Sequence, residues 1–392
     1  MKNSRIRPIL LALIVAALLI IPFFAAAAPA TKEFRKEIPA RSGQTLTLEN
    51  LAGKVLVEGK KDGPVEIVAT IHAESDALLA ELPIDVAEKG DAIEVIARYP
   101  VEKHDAYHYA GGDGGGSTST TYLGHRVKVG SGVLSGGVEL WADFLLRVPA
   151  GTGASVRNEV GKIVATNVAG RLSVRSGSGD VRVDGGEGET TARTGSGDVS
   201  VKGRSGRVEA RTGSGEVALA GITGDVQVHT GSGNAVVDDV KGNLDAQTGS
   251  GNVTARKVTG NQVKAKTGSG EITLRSVSGS LEAHTGSGEI EGEEVTITGA
   301  LDLDTGSGDI RLGGNFMGLS GARVGTGSGD VSLTMTKTPG MKLDLGTSSG
   351  SIRIDVPGTK LKAEKRLELS TGNGAANVKV RTSSGSIVIA GS

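Results

Sequence analysis

The sequence predicts an all-β fold, a parallel β-solenoid (β-helix) of about 18–21 residues per coil with a less regular β N-terminal cap. Three observations support this prediction. A T-G-S-G motif recurs at a nearly constant interval, apolar and polar residues alternate on both sides of each motif, and Gly makes up 62 of the 392 residues. A fixed interval of this size is typical of stacked repeats, and alternation with a period of two is typical of β-strands.

The motif first occurs as S-G-S-G at Ser176. It continues as T-G-S-G at Thr194, Thr212, Thr230, Thr248, Thr267, Thr285, Thr305 and Thr326. Degenerate copies extend the pattern in both directions: Asn158-Glu159-Val160-Gly161, T-S-S-G at Thr347, T-G-N-G at Thr371 and T-S-S-G at Thr382. Positions within a repeat are counted from the motif Thr, which is position 0. The spacing predicts about twelve coils between Asn158 and the C-terminus.

Apolar residues recur at positions −4 and −2 and again at +5 and +7, as in Val208, Ala210, Val217 and Leu219. Each repeat is therefore predicted to hold two short strands, and a further apolar residue at +10 is expected to fill a corner. A coil buries the apolar faces of both strands in one core, whereas a flat meander leaves a long apolar face uncovered. We expect right-handed winding by analogy with parallel β crossovers, and positive φ angles at the motif glycines.

Residues 1–30 are predicted to be a signal peptide. Basic residues are followed by an apolar run at 9–21 and by small residues at 25–30, and cleavage is expected after Ala30. An uncleaved membrane anchor is the alternative, because the apolar stretch extends to Ala28. The chain contains no Cys, so disulfides cannot support the fold. We therefore expect an exported protein of the periplasm, the cell surface or the medium.

Residues 31–150 are predicted to form an irregular β region that precedes the solenoid of residues 151–392. Alternating or β-branched segments predict strands at 45–48, 54–57, 65–71, 93–97 and 144–148. Residues 104–137 are rich in Gly, Ser, Thr and Tyr, and they are expected to form a long mobile loop. The open ends of a solenoid also permit self-association, because the polar C-terminal segment 390–392 offers little cap.

The sequence resembles a bacterial family of β-strand-repeat, adhesin-like proteins, a domain of otherwise unknown function. The residues that carry the resemblance are the segment 46–57, the segment 146–151 and the repeated T-G-S-G-D-V. The resemblance covers nearly the whole chain after residue 30. It implies the same repeat fold and an adhesive role, and the family supplies no catalytic residues to compare.

Position +4 is acidic or an amide in nine consecutive copies, which predicts a column of side chains about 4.8 Å apart. The column suggests calcium, and its pattern is similar to the calcium-binding nonapeptide repeat of toxin-type β-rolls, although it occurs once per 18 residues instead of once per nine. The carboxylates of this candidate calcium ladder are Asp180, Asp198, Glu216, Glu271, Glu289, Asp309 and Asp330, and the amides are Asn234 and Asn252. The alternative needs no cofactor: the column at −1 could neutralise the acids, through Arg175, Arg193, Arg211, His229, Gln247, Lys266 and His284.

Two further groups invite functional interpretation. The Thr and Ser columns of the motif could present hydroxyls to a glycan or to ice, but hydroxyls in turns ordinarily bond to the nearby backbone. A zinc site could also form in the Gly-rich segment, from His104, Asp105, His108, Asp113 and His125. Their spacing matches no standard zinc motif, and solvated histidines are the simpler interpretation.

The charge balance argues against a nucleic-acid partner. The formal net charge is −1, and removal of residues 1–30 leaves 40 basic and 44 acidic residues.

Minimal coils whose only aromatic residue is Phe316 do not resemble the loop-walled grooves of β-helix enzymes that act on polysaccharides. We therefore predict a non-enzymatic envelope or surface protein, an adhesin for surface polymers or proteins. An envelope-associated scaffold or stress-sensing protein with a protein partner is the second hypothesis, and a polysaccharide-active enzyme is the third.

Overall fold

The computed structural model describes residues 29–112, 117–131 and 136–391. The predicted signal peptide falls outside these residues except for its last two positions. The described chain is almost entirely β, with one short helix, α1 (Asp76–Ala80). No helix in these three ranges has both the length and the apolar character that a membrane crossing needs.

The strands before the first motif copy belong to the N-terminal region. They are β1 (Ala30–Ile38), β2 (Thr45–Ala52), β3 (Val55–Lys60), β4 (Val65–Ala73), β5 (Ile84–Lys89), β6 (Ala92–Ala97), β7 (Ala106–His108), β8 (Ser117–Tyr122), β9 (His125–Gly130) and β10 (Val138–Pro149). All five segments predicted as strands in this region are confirmed, as β2, β3, β4, β6 and β10.

The repeat region contributes twenty-four further strands. The first half comprises β11 (Gly153–Val160), β12 (Ile163–Thr166), β13 (Leu172–Ser178), β14 (Val181–Asp184), β15 (Thr190–Thr194), β16 (Val199–Lys202), β17 (Val208–Thr212), β18 (Val217–Thr223), β19 (Val226–Thr230), β20 (Ala235–Lys241), β21 (Leu244–Thr248) and β22 (Val253–Thr267). The second half comprises β23 (Ile272–Arg275), β24 (Ser278–Thr285), β25 (Ile290–Thr305), β26 (Ile310–Asn315), β27 (Gly321–Thr326), β28 (Val331–Lys337), β29 (Met341–Thr347), β30 (Ile352–Val356), β31 (Thr359–Ala363), β32 (Arg366–Thr371), β33 (Ala376–Thr382) and β34 (Ile387–Gly391).

Each coil contributes one strand to each of two parallel stacks. The strands that end at the motif Thr form face A, where β17 pairs with β15 and β19, and the strands that follow the motif form face B, where β18 pairs with β16 and β20. Residues one repeat apart are partners, as Val208 and Val226 are. The predicted all-β solenoid of parallel strands is therefore confirmed.

The core lies between the two faces. Side chains at −4 and −2 on face A and at +5 and +7 on face B are buried, as in Val208, Ala210, Val217 and Leu219. A fully buried Val or Leu contributes about 1.5–3 kcal/mol, so a single coil cannot offset the entropy of ordering its own residues. The coils are stable because each one stacks on its neighbours.

A tight corner follows face B at position +9. Non-glycine residues adopt the left-handed conformation there, including Asn167 (φ 53°), Asp239 (φ 55°) and Lys257 (φ 51°), and Gly221 has a φ of 66°. The next residue, at +10, is buried as predicted in Ile222, and it pairs with the +10 residue of the next coil. The corner is thus a short third side of the coil.

The motif glycines have a different role from the predicted one. From Thr194 onward their φ angles lie outside the left-handed region, except for Gly372 and Gly374 in the copy at Thr371, so the prediction of positive φ was wrong for the others. A Cβ on Gly215 would lie 2.0 Å from the carbonyl oxygen of Gly197, and a Cβ on Gly233 would lie 1.9 Å from that of Gly215. Glycine is required here because successive turns stack backbone directly on backbone.

Parallel stacking begins earlier in the chain than position 151. Strand β2 pairs in parallel with β11, and β3 pairs in parallel with β12, so residues 45–60 form a complete coil. The chain between this coil and β11 adds antiparallel outer strands. Strand β4 lies between β10 and β1, and β5 pairs with β6. Helix α1 packs at this end with Leu78 and Leu79 buried.

The predicted mobile loop at 104–137 was wrong for its described residues. Strands β8 and β9 form an antiparallel pair, and β7 joins it and β10 to make a small second sheet. Tyr107, Tyr122, Val127 and Val129 are buried beneath it. Alternating Tyr, Thr and Val residues fit a pleated, half-buried surface, so the glycines around them do not prevent strand formation.

The C-terminal strands do not stack in the order of the sequence. Strand β33 pairs in parallel with both β27 and β29, and β34 pairs in parallel with both β28 and β30. The last coil therefore lies between the two coils that precede it in the chain. Strands β31 and β32 pair antiparallel with β30 and β29 and form the end of the rod. The interpretation of Thr371 as a motif copy was wrong, because it ends the antiparallel strand β32.

Candidate functional site

The motif Thr residues form a column that faces the interior. From Thr194 to Thr382 they are at most 7% exposed, apart from Thr371. Each hydroxyl donates to the carbonyl oxygen of the second motif glycine in the adjacent coil; Thr230 Oγ1 lies 2.9 Å from the oxygen of Gly215, and it also accepts from Gly233 N at 3.2 Å. The predicted structural role of the Thr hydroxyls is confirmed. Because they are buried, these hydroxyls do not form an exposed surface for a glycan or for ice.

The +4 column, which is the candidate calcium ladder, lies along the exposed corner after the motif. Where the residue is Asp or Asn, one side-chain oxygen accepts a hydrogen bond from the backbone N–H of the +4 residue in the next coil. Asp180 Oδ1 accepts from Asp198 N at 3.0 Å, and Asp198 Oδ1 accepts from Glu216 N at 2.8 Å. The same bond links Asn234 to Asn252, Asn252 to Glu271 and Asp309 to Asp330.

The +4 side chains thus link adjacent coils through hydrogen bonds that need no bound ion. Glu289 and Asp309 are also paired with Arg311. In the three described ranges, no group of three or more His, Asp or Glu side chains is arranged to hold a metal. An amide performs the backbone capping as well as a carboxylate does, which accounts for the mixture of Asp and Asn in the column.

The basic column at −1 pairs with a different set of acids from the one predicted. Arg193 and Arg211 both contact Glu209, at 2.6 and 2.9 Å, and Lys266 contacts Glu282 at 2.6 Å. These acids occupy position −3 on face A. The hydrogen bond from Lys266 lowers the pKa of Glu282. Neutralisation of the +4 column by the −1 column was therefore a wrong prediction, because side chains at −1 and −3 share the outer side of the same strand.

The residues of the suggested zinc site are spread along the small second sheet. Strand register places His108 beside Gly130, five residues along β9 from His125, which is about 16 Å at the rise of a strand. His104 lies 3.9 Å from Glu81, and Asp113 is outside the described residues. The structure does not bring together the four candidates that it describes, His104, Asp105, His108 and His125.

A buried cation, Arg204, was not predicted from the sequence; it occupies position +10, where most repeats have an aliphatic residue. Its side chain crosses the neighbouring coil at Gly186. It donates to Thr190 Oγ1 at 2.7 Å, to the carbonyl oxygens of Gly185 and Gly170 at 3.1 and 2.9 Å, and to that of Val168. Burial lowers the pKa of Arg204 to about 10. The combination of Arg at one +10 position and Gly at the preceding one is a signal that could have revealed it.

A second buried polar group closes the N-terminal coils. Asn50 and Asn158 occupy position 0 in the first two coils, and Asn50 Nδ2 donates to Asn158 Oδ1 at 2.9 Å. The hydroxyl of Tyr99 donates to the carbonyl oxygen of Ala52 at 2.8 Å and accepts from Ala142 N at 3.1 Å. Burial raises the pKa of Tyr99 far above its ordinary value. This cluster stabilises the junction with the outer strands and is closed to ligands.

Among the solved structures that resemble the chain are three at very low sequence identity. A putative cell adhesion protein from Clostridium sporogenes is 10% identical, with coverage of 93% of this chain and 100% of that one and a TM-score of 0.18. A putative adhesin from Bacteroides fragilis is 12% identical, with coverage of 92% and 98% and a TM-score of 0.22. A putative lipid binding protein from Parabacteroides distasonis is 10% identical, with coverage of 93% and 97% and a TM-score of 0.27. Likeness at this level carries no argument about function.

The comparison with curated proteins gives no match. The comparison with family models gives one, the Toastrack DUF4097 model, which matches residues 202–314 and 320–390. The matched segments contain most T-G-S-G copies and the C-terminal coils, whereas the segments 46–57 and 146–151 lie outside them. The repeats from residue 202 to residue 390 therefore match the Toastrack DUF4097 domain, a family of unknown function, over just under half of the chain.

Proposed function

We propose that the protein is an exported, non-enzymatic adhesin of the cell envelope or cell surface. Its solenoid presents long polar faces to a surface polymer or to another surface protein. The proposal agrees with the apolar, basic-led segment at residues 1–30, which is typical of export signals.

The observation that supports the proposal best is how the repeated polar residues are used. Thr at position 0 and Asp or Asn at +4 bond one coil to the next, as Thr230 does with Gly215 and Asp198 with Glu216. The stacks of coils and outer strands span about 70 Å at the spacing of adjacent strands. The repeat chemistry therefore serves rigidity and length, and the variable outward positions of faces A and B are the part of each coil that differs between copies.

Fractionation of the cells that produce the protein tests the export component. We expect the protein in the envelope or the medium, accessible to an added protease on intact cells. Binding of the purified protein to intact cells and to isolated envelopes tests the adhesive component, and we expect saturable binding that a heat-denatured sample lacks. Recovery of the protein from the cytosol alone would contradict the proposal. Recovery from the inner membrane with one tightly bound protein partner would instead favour the scaffold or stress-sensing hypothesis.

A further inference from the structure

Charge is distributed unevenly along the chain. Residues 337–392 carry nine Lys or Arg and four Asp or Glu, whereas residues 31–336 carry 31 and 40. The basic segment comprises the last coil (β33 and β34), the adjacent coil (β29 and β30) and the terminal strands β31 and β32. The rod is thus acidic along its length and basic at its C-terminal end. Such a distribution repels anions from the shaft and attracts them to the end.

A groove of about 490 Å³ lies at this end, on the corner where the motif turns stack. Lys365, Arg366 and Arg381 supply three cations to its lining, which contains no carboxylate, and Arg366 also contacts Glu368 at 2.5 Å and Asp344 at 3.9 Å outside the groove. The Arg381 side chain is fixed by Asp344, because its guanidinium donates to the backbone oxygen of Asp344 at 2.6 Å and also contacts the Asp344 carboxylate. Gly346 makes room for it, since a Cβ there would lie 3.3 Å from Arg381 Cδ.

Hydroxyl groups are added to this groove by a change in the motif. The T-G-S-G copies from Thr194 to Thr326 have Gly at +1, where a Cβ would lie 2.3–2.4 Å from the backbone oxygen of the neighbouring turn, as at Gly213 and Gly231. The two C-terminal coils have Ser instead, Ser348 and Ser383, and both are exposed and line the groove. Between Ser176 and Thr326 every copy has Gly at +1, and Ser replaces it in the two C-terminal coils, where the cations gather, so hydroxyl donors and cations occur together.

We propose that this groove binds an anionic group, a phosphate or a carboxylate, that is repeated along an extended envelope polymer. Arginine guanidinium groups match the geometry of both anions, and serine hydroxyls donate to their remaining oxygens. The inference rests on the adhesive function proposed above, and it names the end of the rod that makes the contact and the chemistry of the ligand.

A polymer fits the surroundings better than a small molecule. A second groove of about 650 Å³ lies beside the first on face A, and Lys342, Lys379 and Asn377 line it together with Asp344 and Glu368. Lys379 and Arg381 point outward from the same strand, about 7 Å apart. Consecutive anions of one chain can therefore reach Arg381 in the first groove and Lys379 beside the second.

Titration of the purified protein with fluorescently labelled polyphosphate and polygalacturonate tests this site. We expect saturable binding to at least one of them, weakened by added salt. A preference for polyphosphate identifies a phosphate polymer, and a preference for polygalacturonate identifies a uronate polymer. The double variant Lys365→Glu/Arg366→Glu should raise Kd at least tenfold. The matched control Lys202→Glu/Lys241→Glu carries the same charge change on exposed lysines of the shaft and should change Kd less than twofold.

A variant of unchanged charge separates a built site from a diffuse positive field. Ser348→Gly/Ser383→Gly restores the upstream motif and should raise Kd several-fold with an unaltered melting temperature. Equal loss of binding in the groove variant and the shaft control would overturn the proposal, and so would binding to neither polymer. If the protein binds intact cells but neither polyanion, the site inference fails and the adhesive function stands. If it binds the polyanions through this groove but is found only in the cytosol, the adhesive function fails instead.

Discussion

The hydroxyl of Thr347 donates to the carbonyl oxygen of Gly385 at 2.8 Å, although Gly385 follows it by 38 residues in the chain. The hydroxyl of Thr382 in turn donates to the carbonyl oxygen of Gly329 at 2.9 Å. In every earlier pair the Thr of one coil bonds back to the coil just before it in the sequence. The hydrogen-bond partners of the motif Thr residues therefore follow the spatial order of the coils, and they place the last coil inside the stack.

The Thr column makes a first prediction about stability. Thr230→Val retains the shape of the side chain but leaves the buried oxygen of Gly215 and the N–H of Gly233 without a partner. We expect a loss of about 1–3 kcal/mol in the free energy of unfolding. Thr230→Ser keeps the hydroxyl and should lose only about 0.8 kcal/mol for the missing methyl group. Urea denaturation of the three proteins measures both values, and a Val variant as stable as the parent would refute the assigned role.

The motif glycines give a second prediction. Gly215→Ala places a Cβ 2.0 Å from a backbone oxygen, so the stacked turns must separate. We expect a loss of at least about 3 kcal/mol, beyond the usual cost of overpacking. Gly313→Ala is the matched control in the same solenoid, since its Cβ would meet its nearest atom at 3.8 Å. Thermal melting compares the two, and equal melting temperatures would contradict the backbone-stacking explanation.

The buried cation Arg204 gives a third prediction. Arg204→Met fills similar space but removes the donors that serve Thr190 and the backbone oxygens of Val168, Gly170 and Gly185. We expect destabilisation by about 2–4 kcal/mol, because buried acceptors lose their partners. Arg204→Lys should recover part of this loss. Denaturation in urea provides the comparison. A Met variant more stable than the parent would mean that desolvation of the guanidinium outweighs its hydrogen bonds.

The +4 column yields a fourth prediction. Asp198→Asn keeps an oxygen for Glu216 N and should change stability by less than about 0.5 kcal/mol, whereas Asp198→Ala should lose about 1 kcal/mol. If the column is purely mechanical, millimolar calcium leaves the melting temperature unchanged. A calcium-dependent rise that disappears in the Asn variant would instead establish the calcium ladder suggested by the carboxylates.

The repeat core was predictable because its periodicity is explicit in the sequence. Val208 and Val217 recur with their neighbours at fixed positions, and burial follows from alternation. The +9 corner was not predictable in the same way, since Asn167, Asp239 and Lys257 adopt left-handed conformations that only the surrounding coil imposes.

The remaining differences have a common origin in long-range packing. Arg204 is buried only because Gly186 in the adjacent coil leaves space for it. The segment around Tyr107 and Val127 becomes a sheet because the corner of the first coils offers a surface to cover. The place of β33 within the stack cannot be inferred from the sequence, because Thr347 and Thr382 begin identical T-S-S-G motifs.

The order of the C-terminal coils is the claim on which the basic groove depends, because Arg381 and Ser383 come from the intercalated coil. The chain has no Cys, so two introduced Cys residues can form a disulfide only with each other, and the disulfide tests the order of the coils. Arg323→Cys/Lys379→Cys joins residues that are partners on adjacent strands, and Arg323→Cys/Asp344→Cys joins residues two strands apart. Oxidation should form a disulfide in the first pair, at a Cα separation of about 5 Å, and none in the second, at about 10 Å. A disulfide in the second pair and none in the first would mean that the coils stack in sequence order, and would contradict this account.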